Sequence, residues 1–272
     1  MDHGAMEGAE YLQRWHDRHP GATATTMVSL TNAMGRNSYE VLAQVIHSQD
    51  EPVLDLACGD GYLLELLRPE HACIGVDWNT AELNIAVGRL GADAPLARAD
   101  AARLPIATSA LGAVICHYAL MLLQPFEHVL EEIGRVLRPG GILAAVLPSA
   151  PLDETPNPVS AFRAAWNEVS NSYPVTIPPI QDDRALQAEG LAGLLANTGF
   201  RSIVMQPLST SKAMTVDEIT ESLLLTYLPD LLPPPGLATL TRRLKDELDK
   251  LDGGTGTITF VVQSDLVTAR RA

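Results

Sequence analysis

Basic residues are scarce in this chain: 19 Lys and Arg stand against 33 Asp and Glu, a formal net charge of −14 over 272 residues. Binding a polyanion needs clustered cations to neutralise phosphates. The densest group, Arg242-Arg-Leu-Lys245, is offset by Asp246, Glu247 and Asp249. Nucleic acid and anionic membrane surfaces are therefore not expected as partners. Cysteine is also sparse. Cys58, Cys73 and Cys116 sit in or beside apolar runs without a Cys-x-x-Cys pair, which speaks against a disulfide framework and a metal site. They read as small buried residues in a reducing compartment. No apolar stretch reaches the length of a bilayer span, and the N-terminus lacks the apolar core of a signal peptide, so the expected location is the cytoplasm. Internal repeats are absent. The length suits one α/β domain with additions, enough to bury a large core.

What is present concentrates in Val53-Leu-Asp-Leu-Ala-Cys-Gly-Asp-Gly-Tyr-Leu-Leu-Glu65. An apolar β-type run carries Asp55, breaks at Ala57, Gly59 and Gly61, and resumes with helical leucines. A strand turning into a helix over two glycines brings bare backbone N–H groups to a helix N-terminus, open to ligand oxygens. Cys73-Ile-Gly-Val-Asp-Trp78 follows as a second short strand ending in a carboxylate. An acid at that position accepts from the hydroxyls of a ribose. A nicotinamide or flavin site makes the same demand but wants a third glycine three residues after the second. Leu64 stands there, and the pyrophosphate reading loses its support.

Farther on, Ala99-Asp-Ala-Ala-Arg-Leu-Pro105 follows a short strand at Pro95 to Arg98. The apolar run Leu111 to Leu123 comes next, then a helix with Phe126, Val129, Leu130, Ile133, Val136 and Leu137 at helical spacing. That helix stops at Arg138-Pro-Gly-Gly141, a cation, a proline and two glycines at its C-terminus, and Ile142 to Leu147 is the next buried strand.

With these pieces in order, the chain resembles the class I S-adenosylmethionine-dependent methyltransferases of small-molecule type. The resemblance rests on the Asp55-to-Gly61 turn, Gly75-Val-Asp77, Asp100-Ala101 with Leu104-Pro105, and Leu137-Arg-Pro-Gly-Gly141. It covers Glu51 to Pro148 well and Leu186 to Val262 in outline. It implies a doubly wound, Rossmann-like α/β fold with a seven-stranded sheet whose last strand is antiparallel, carrying helical cap insertions. It also implies S-adenosylmethionine as methyl donor and S-adenosylhomocysteine as product. On that reading Gly59 and Gly61 allow close approach of the carboxypropyl and sugar portions. Asp55 lies beside the amino group, Asp77 holds the ribose hydroxyls, and Trp78 covers the adenine face. Asp100 accepts from the adenine amino group while the Ala101 N–H donates to the ring. Ala57 stands where the family more often has glycine, and Met121 where relatives often carry histidine, which leaves no base assigned by family.

Residues 1–50 lie outside the nucleotide-binding pattern and are expected as a helical lid. It has a helix at Glu7 to His19 and another from about Tyr39 to His47 capped by Ser38. Tyr39 and Arg36 are candidates for the methionine end. The domain proper is expected over 51–272, with cap insertions at about 149–180 and 209–252. The first insertion carries a helix with Phe162, Trp166 and Val169 on one face. Then come a helix at Ala185 to Thr198 ended by Gly199, and a sixth strand at Ile203 to Gln206. Thr215-Val-Asp-Glu218 is a capping box opening a helix with Ile219, Leu223 and Tyr227. A leucine-rich helix from Leu237 to Leu251 follows, and a last strand at Thr257 to Gln263. Tyr11, Trp15, Met121, Phe162 and Trp166 are the expected cap and substrate contacts.

Methyl transfer to a small molecule, by direct displacement, is the expected function; it requires alignment and exclusion of water. His117 is the candidate base for a hydroxyl acceptor, since an imidazole titrates near neutrality. If strand alternation turns His117 inward, Tyr118 faces the pocket instead. The alternatives are a protein or RNA methyltransferase, and a protein of this fold used otherwise, as a cyclase or partner subunit. A monomer or homodimer is expected.

Overall fold

Short β-branched and leucine runs bounded by glycine or polar turns make the strands of this chain, and helices with one apolar face cover them. The computed structural model describes residues 3–149 and 156–272, with side chains from residue 7 on. Residues 150–155 of the first expected insertion lie outside the described residues. The chain opens with α1 (His3–Arg18), α2 (Ala22–Met27) and α3 (Ser38–Ala43). It then alternates through β1 (Val53–Leu56), α4 (Tyr62–Leu67), β2 (Cys73–Asp77), α5 (Thr80–Leu90), β3 (Leu96–Arg98), β4 (Leu111–His117), α6 (Phe126–Val136) and β5 (Leu137–Pro148). Next are α7 (Pro158–Ser172), α8 (Ala188–Asn197), β6 (Phe200–Met214), α9 (Val216–Leu224), α10 (Pro234–Asp249) and β7 (Ile258–Arg271).

The strands form one seven-stranded sheet in the order β3-β2-β1-β4-β5-β7-β6. β1 to β5 are mutually parallel, and β7 runs antiparallel between β5 and β6. The strand order reverses between β1 and β4, where an open parallel sheet splays apart and ligands bind at the carboxyl ends.

Alternation along the strands sends side chains to opposite faces. Leu54, Leu56, Val114, Cys116, Leu143 and Ala145 join α6 and α8 on one face. Val53, Ala113, Ile115, Ala144 and Val146 join α3 and α4 on the other. Gly75 is required by that second packing: a Cβ there would come within 2.5 Å of Leu64 and 2.7 Å of Leu96. A third apolar cluster gathers α7, α9 and α10 around Trp166, Leu223, Leu240 and Leu244, with Leu30 and Phe260. Cys58, Cys73 and Cys116 are buried free thiols.

Several boundaries differ from the sequence reading. The cap of α3 is Asn37, which accepts from the Glu40 N–H while the Glu40 carboxylate accepts from the Asn37 N–H; Ser38 is already helical. The 185–198 helix is a 3₁₀ turn at Asp183–Leu186 followed by α8, broken where Gln187 is extended. The capping box at Thr215 opens α9 as expected. β6 and β7 are far longer than their most apolar stretches. They run together from Phe200↔Arg271 to Met214↔Ile258, beyond the edge of β5, as a two-stranded ribbon. Thr31 joins that ribbon, donating to the Ser211 carbonyl at 3.1 Å and accepting from the Ser211 N–H at 2.8 Å.

Candidate functional site

At the carboxyl ends of β1, β2 and β4 lies a cavity of about 550 Å³. Its floor is the β1–α4 turn. Ala57, Gly59 and Gly61 all have positive φ, at 57°, 50° and 78°, and this tight reversal places the Cys58–Gly59 backbone at the cavity wall. Gly61 itself does not line the cavity. It starts α4 in the left-handed region, and a Cβ there would sit 3.0 Å from Ala86 and Leu90. This corrects its expected place at the ligand: Gly61 serves close packing of α4 on α5.

Asp55 is 2% exposed and faces the side of the sheet occupied by α3 and α4. Its Oδ2 is buried without a hydrogen-bond partner. Burial, followed by the charges of Asp77 and Asp60, pushes its pKa well above the usual carboxylate range. Asp77, at the tip of β2, accepts from the Gly59 N–H through Oδ2 (2.8 Å) and from the Asn79 N–H through Oδ1 (2.7 Å). Burial raises its pKa while these two bonds oppose the rise. A carboxylate has about four lone-pair sites, so the two tethers fix its orientation and leave acceptors free. Asp100 accepts from the Ala102 N–H at 2.9 Å and lines the wall with Ala101. Trp78 lines it too, 49% exposed.

His117 and Tyr118 both face the cavity. His117 falls on the Asp55 side of the sheet by alternation. Tyr118 should then point away, but its φ of 53° breaks the strand and turns its ring back to the same side. The His117 ring stacks on Tyr39 with centroids 3.5 Å apart. Its Nε2 lies 2.8 Å from Ser38 Oγ, and its Nδ1 is buried without a partner. Burial lowers the His117 pKa to about 3. This corrects its expected role as a base near neutrality: the imidazole is neutral and weakly basic. Tyr118, hydrogen-bonded to Ser264, has its phenol pushed up to about 12 by burial.

The cap contributions also differ from expectation. Tyr39 lines the cavity, whereas Arg36 is exposed and donates to Gln44 Oε1. Tyr11 and Trp15 do not line it. The Tyr11 hydroxyl donates to the Tyr227 carbonyl (2.5 Å), and Trp15 Nε1 donates to the Thr226 carbonyl (3.2 Å). Both fasten α1 to the loop after α9. Met121 is buried in the core beneath α6. Phe162 and Trp166 stack on each other within the α7–α9–α10 cluster. The residues that do roof the cavity are Leu12, Gln13 and His16 of α1, Pro179 and Ile180 before the 3₁₀ turn, and Tyr227.

A bracing network missed by sequence reasoning holds this roof. Glu82, 4% exposed on α5, accepts from the Gly21 N–H at 2.9 Å and meets His16 Nδ1 at 2.8 Å. His16 Nε2 lies 3.3 Å from the Tyr227 hydroxyl. Asn79 caps α5 through Oδ1 and donates through Nδ2 to the Gln13 carbonyl and Asp17. Asn79-Thr-Ala-Glu82 was readable as a helix start, but its partners in α1 lie more than sixty positions away.

The strand order gathers acids at the carboxyl ends of adjacent strands around one cavity of a doubly wound α/β protein. Residues 54–145 match the methyltransferase domain family. A demethylmenaquinone methyltransferase of Corynebacterium urealyticum is 37% identical over 103 residues, covering 38% of this chain and 44% of that protein. A trans-aconitate 2-methyltransferase of Paracidovorax citrulli is 33% identical over 140 residues, covering 49% of this chain and 53% of that protein. The chain thus spans about half the length of these curated relatives. Among solved structures, a Bacillus halodurans C-125 protein aligns over 86% of this chain and 98% of its own, with a TM-score of 0.59 and 19% identity, a likeness of fold. Residues 54–145 thus match a methyltransferase domain, and the fold around them is like that of the Bacillus halodurans C-125 protein.

Proposed function

We propose that this chain transfers a methyl group from S-adenosylmethionine to a small-molecule acceptor held under the α1 roof. The observation that carries the reading is the unpartnered, buried Oδ2 of Asp55 at the cavity floor. A lone buried carboxylate oxygen is costly unless a cation or donor meets it, and the amino group of the methyl donor supplies both. The other walls fit the remaining parts. Asp77 is held with free lone pairs toward ribose hydroxyls, Asp100 and Ala101 stand where an adenine edge is read, and Trp78 offers a flat apolar face to the ring. Gly59, without a Cβ, admits close approach of the ligand backbone. Bound there, the sulfonium supplies an electrophilic methyl carbon already activated for displacement.

The protein's part is then alignment and exclusion of water. The 1–50 segment acts as the lid, with Glu82 and Asn79 as its anchor points. Tyr39 and His117 form a stacked, uncharged wall beside the transferable methyl, and Tyr118 completes it. A roofed cavity of about 550 Å³ suits an acceptor of small-molecule size better than a polymer.

Calorimetry with S-adenosylhomocysteine and with NADH tests the reading. Binding of the first alone is expected, and tight NADH binding without S-adenosylhomocysteine would sink it. Asp77→Ala should weaken S-adenosylhomocysteine binding by roughly 1–3 kcal/mol, the usual loss when buried partners are left unpaired.

A further inference from the structure

The chemistry of the acceptor rests on the reading that methyl transfer takes place in this cavity, and one end of the cavity narrows it. Running on from His117 and Tyr118, the turn after β4 places Leu122, Leu123 and Gln124 on the wall. Pro179 and Ile180 come to the same end, because the Asp182 N–H donates to the Met121 carbonyl at 2.8 Å and ties the two segments together. α1 closes over them. A Cβ on Gly8 would collide with the Pro179 carbonyl oxygen, and Leu12, one turn farther along α1, lines the cavity. The carboxylates of the cavity belong to β1, the β1–α4 turn, β2, α5 and the loop after β3. Neither the 122–125 nor the 179–180 segment presents a charged side chain to it.

Gln124 is the exception in this apolar end. Its Nε2 is buried and has no hydrogen-bond partner. A carboxamide taken from water and left unpaired destabilises the fold, and a leucine at the same place would avoid that cost. The terminal torsion of a glutamine is broad, and with no protein partner to fix the amide its N–H can turn to a ligand. Nearby polar groups are already engaged, the Tyr118 hydroxyl with Ser264 and His117 Nε2 with Ser38. The partner an N–H donor wants is an oxygen. A carboxylate is disfavoured: no Lys or Arg lines the cavity among the described residues, so an anion would leave water with only a neutral donor to meet it. A neutral carbonyl on an apolar body suits both the donor and the walls.

We propose that Gln124 sets acceptor specificity: the acceptor is an uncharged, mainly apolar molecule whose carbonyl oxygen accepts from Gln124 Nε2. Its apolar body lies among Leu12, Leu122, Leu123 and Ile180, next to the His117 and Tyr118 wall.

The test uses the full chain saturated with S-adenosylhomocysteine. Its ligands are matched sets of methyl ketone, secondary alcohol, ethyl hydrocarbon and carboxylate on phenyl, naphthyl and biphenyl skeletons. Calorimetry should rank the ketone first in at least one set, about tenfold tighter than the hydrocarbon, the gain that one hydrogen bond to a buried donor brings. In Gln124→Leu that preference should vanish while the hydrocarbon binds as well as before or better. The alcohol or carboxylate ranking first, no binding on any skeleton, or a ketone preference that survives in Gln124→Leu would overturn the inference. Thermal unfolding checks that the variant is folded; if it is not, the wild-type ranking decides alone. A folded Gln124→Leu whose affinity for S-adenosylhomocysteine falls tenfold would place Gln124 at the donor, and the inference falls. Binding of S-adenosylhomocysteine to the wild-type protein is measured first. Its failure brings down the methyl-transfer reading itself; its success without a ketone preference brings down the acceptor assignment alone.

Discussion

At the scale of single residues, the site is built from groups placed against their local preference. Ala57 adopts φ 57°, a left-handed conformation that costs an L-residue about 1–2 kcal/mol. Glycine takes it freely but loses more backbone entropy on folding. The strain exceeds the entropy term, so Ala57→Gly should raise stability by about 0.5–1 kcal/mol in urea unfolding. A neutral or lower midpoint would show that the methyl group packs usefully. His117 is the second such residue. Its unfolded pKa is about 6.5 and its folded value about 3, so between those values the unfolded chain binds a proton that the folded chain does not. The stability contributed by the neutral ring is whole above about pH 6.5 and is lost as pH falls toward 3. The difference in unfolding free energy between wild type and His117→Gln should therefore change by up to about 1.4 kcal/mol per pH unit between pH 6 and 4. Parallel pH profiles for the two proteins would mean that water reaches the ring.

At the scale of elements, Glu82 ties both α1, through His16, and the start of α2, through the Gly21 N–H, to the sheet domain. Glu82→Ala should loosen the 3–27 segment, seen as faster amide exchange there, while amides of β1, β4 and β5 keep their protection. S-adenosylhomocysteine affinity should fall in the same variant, because the roof loses its anchor. Unchanged exchange in α1 would mean that Tyr11, Trp15 and the Arg18–Asp230 ion pair suffice. This network also marks how far the sequence could be read. The β1–α4 turn, the acids at 55, 77 and 100, and the parallel half of the sheet announce themselves through local pattern: apolar strand, small residues, helix. The roof does not, because Trp15, Tyr11, Phe162 and Trp166 look alike as isolated aromatics and only the tertiary arrangement sorts cavity wall from scaffold. β6 reads short in the sequence for a different reason. Pro207 and the polar run Ser209 to Lys212 suggest a loop, but β6 is an edge strand, paired with β7 on one side and bridged on the other at Thr31, where a missing N–H and polar side chains are tolerated.

At the scale of the whole molecule, part of the acidity of the sequence is gathered at the candidate site. A formal charge of −14 is spread over the surface, but Asp55, Asp60 and Asp77 lie within mutual influence at one cavity, and burial raises the pKa of each. A carboxyl group whose folded pKa is raised stabilises the fold below its unfolded pKa and loses that contribution as pH rises through the folded value. These carboxyl groups thus hold protons more tightly than the unfolded chain does, most of all at Asp55, whose Oδ2 has no partner. A ligand bringing an ammonium and a sulfonium to this floor favours the ionised carboxylate, so ligand binding and proton release are linked through the same group. Calorimetry of S-adenosylhomocysteine, which carries the ammonium without the sulfonium, should show proton release when run across a pH series that spans the raised Asp55 pKa. The apparent binding enthalpy should then change with the ionisation enthalpy of the buffer. Asp55→Asn keeps the shape of the side chain and removes the titrating group; it should bind more weakly and with an enthalpy independent of buffer. Equal proton release from wild type and Asp55→Asn would move the linkage to Asp77 or Asp60 and break the assignment of Asp55 as the partner of the ligand's amino group.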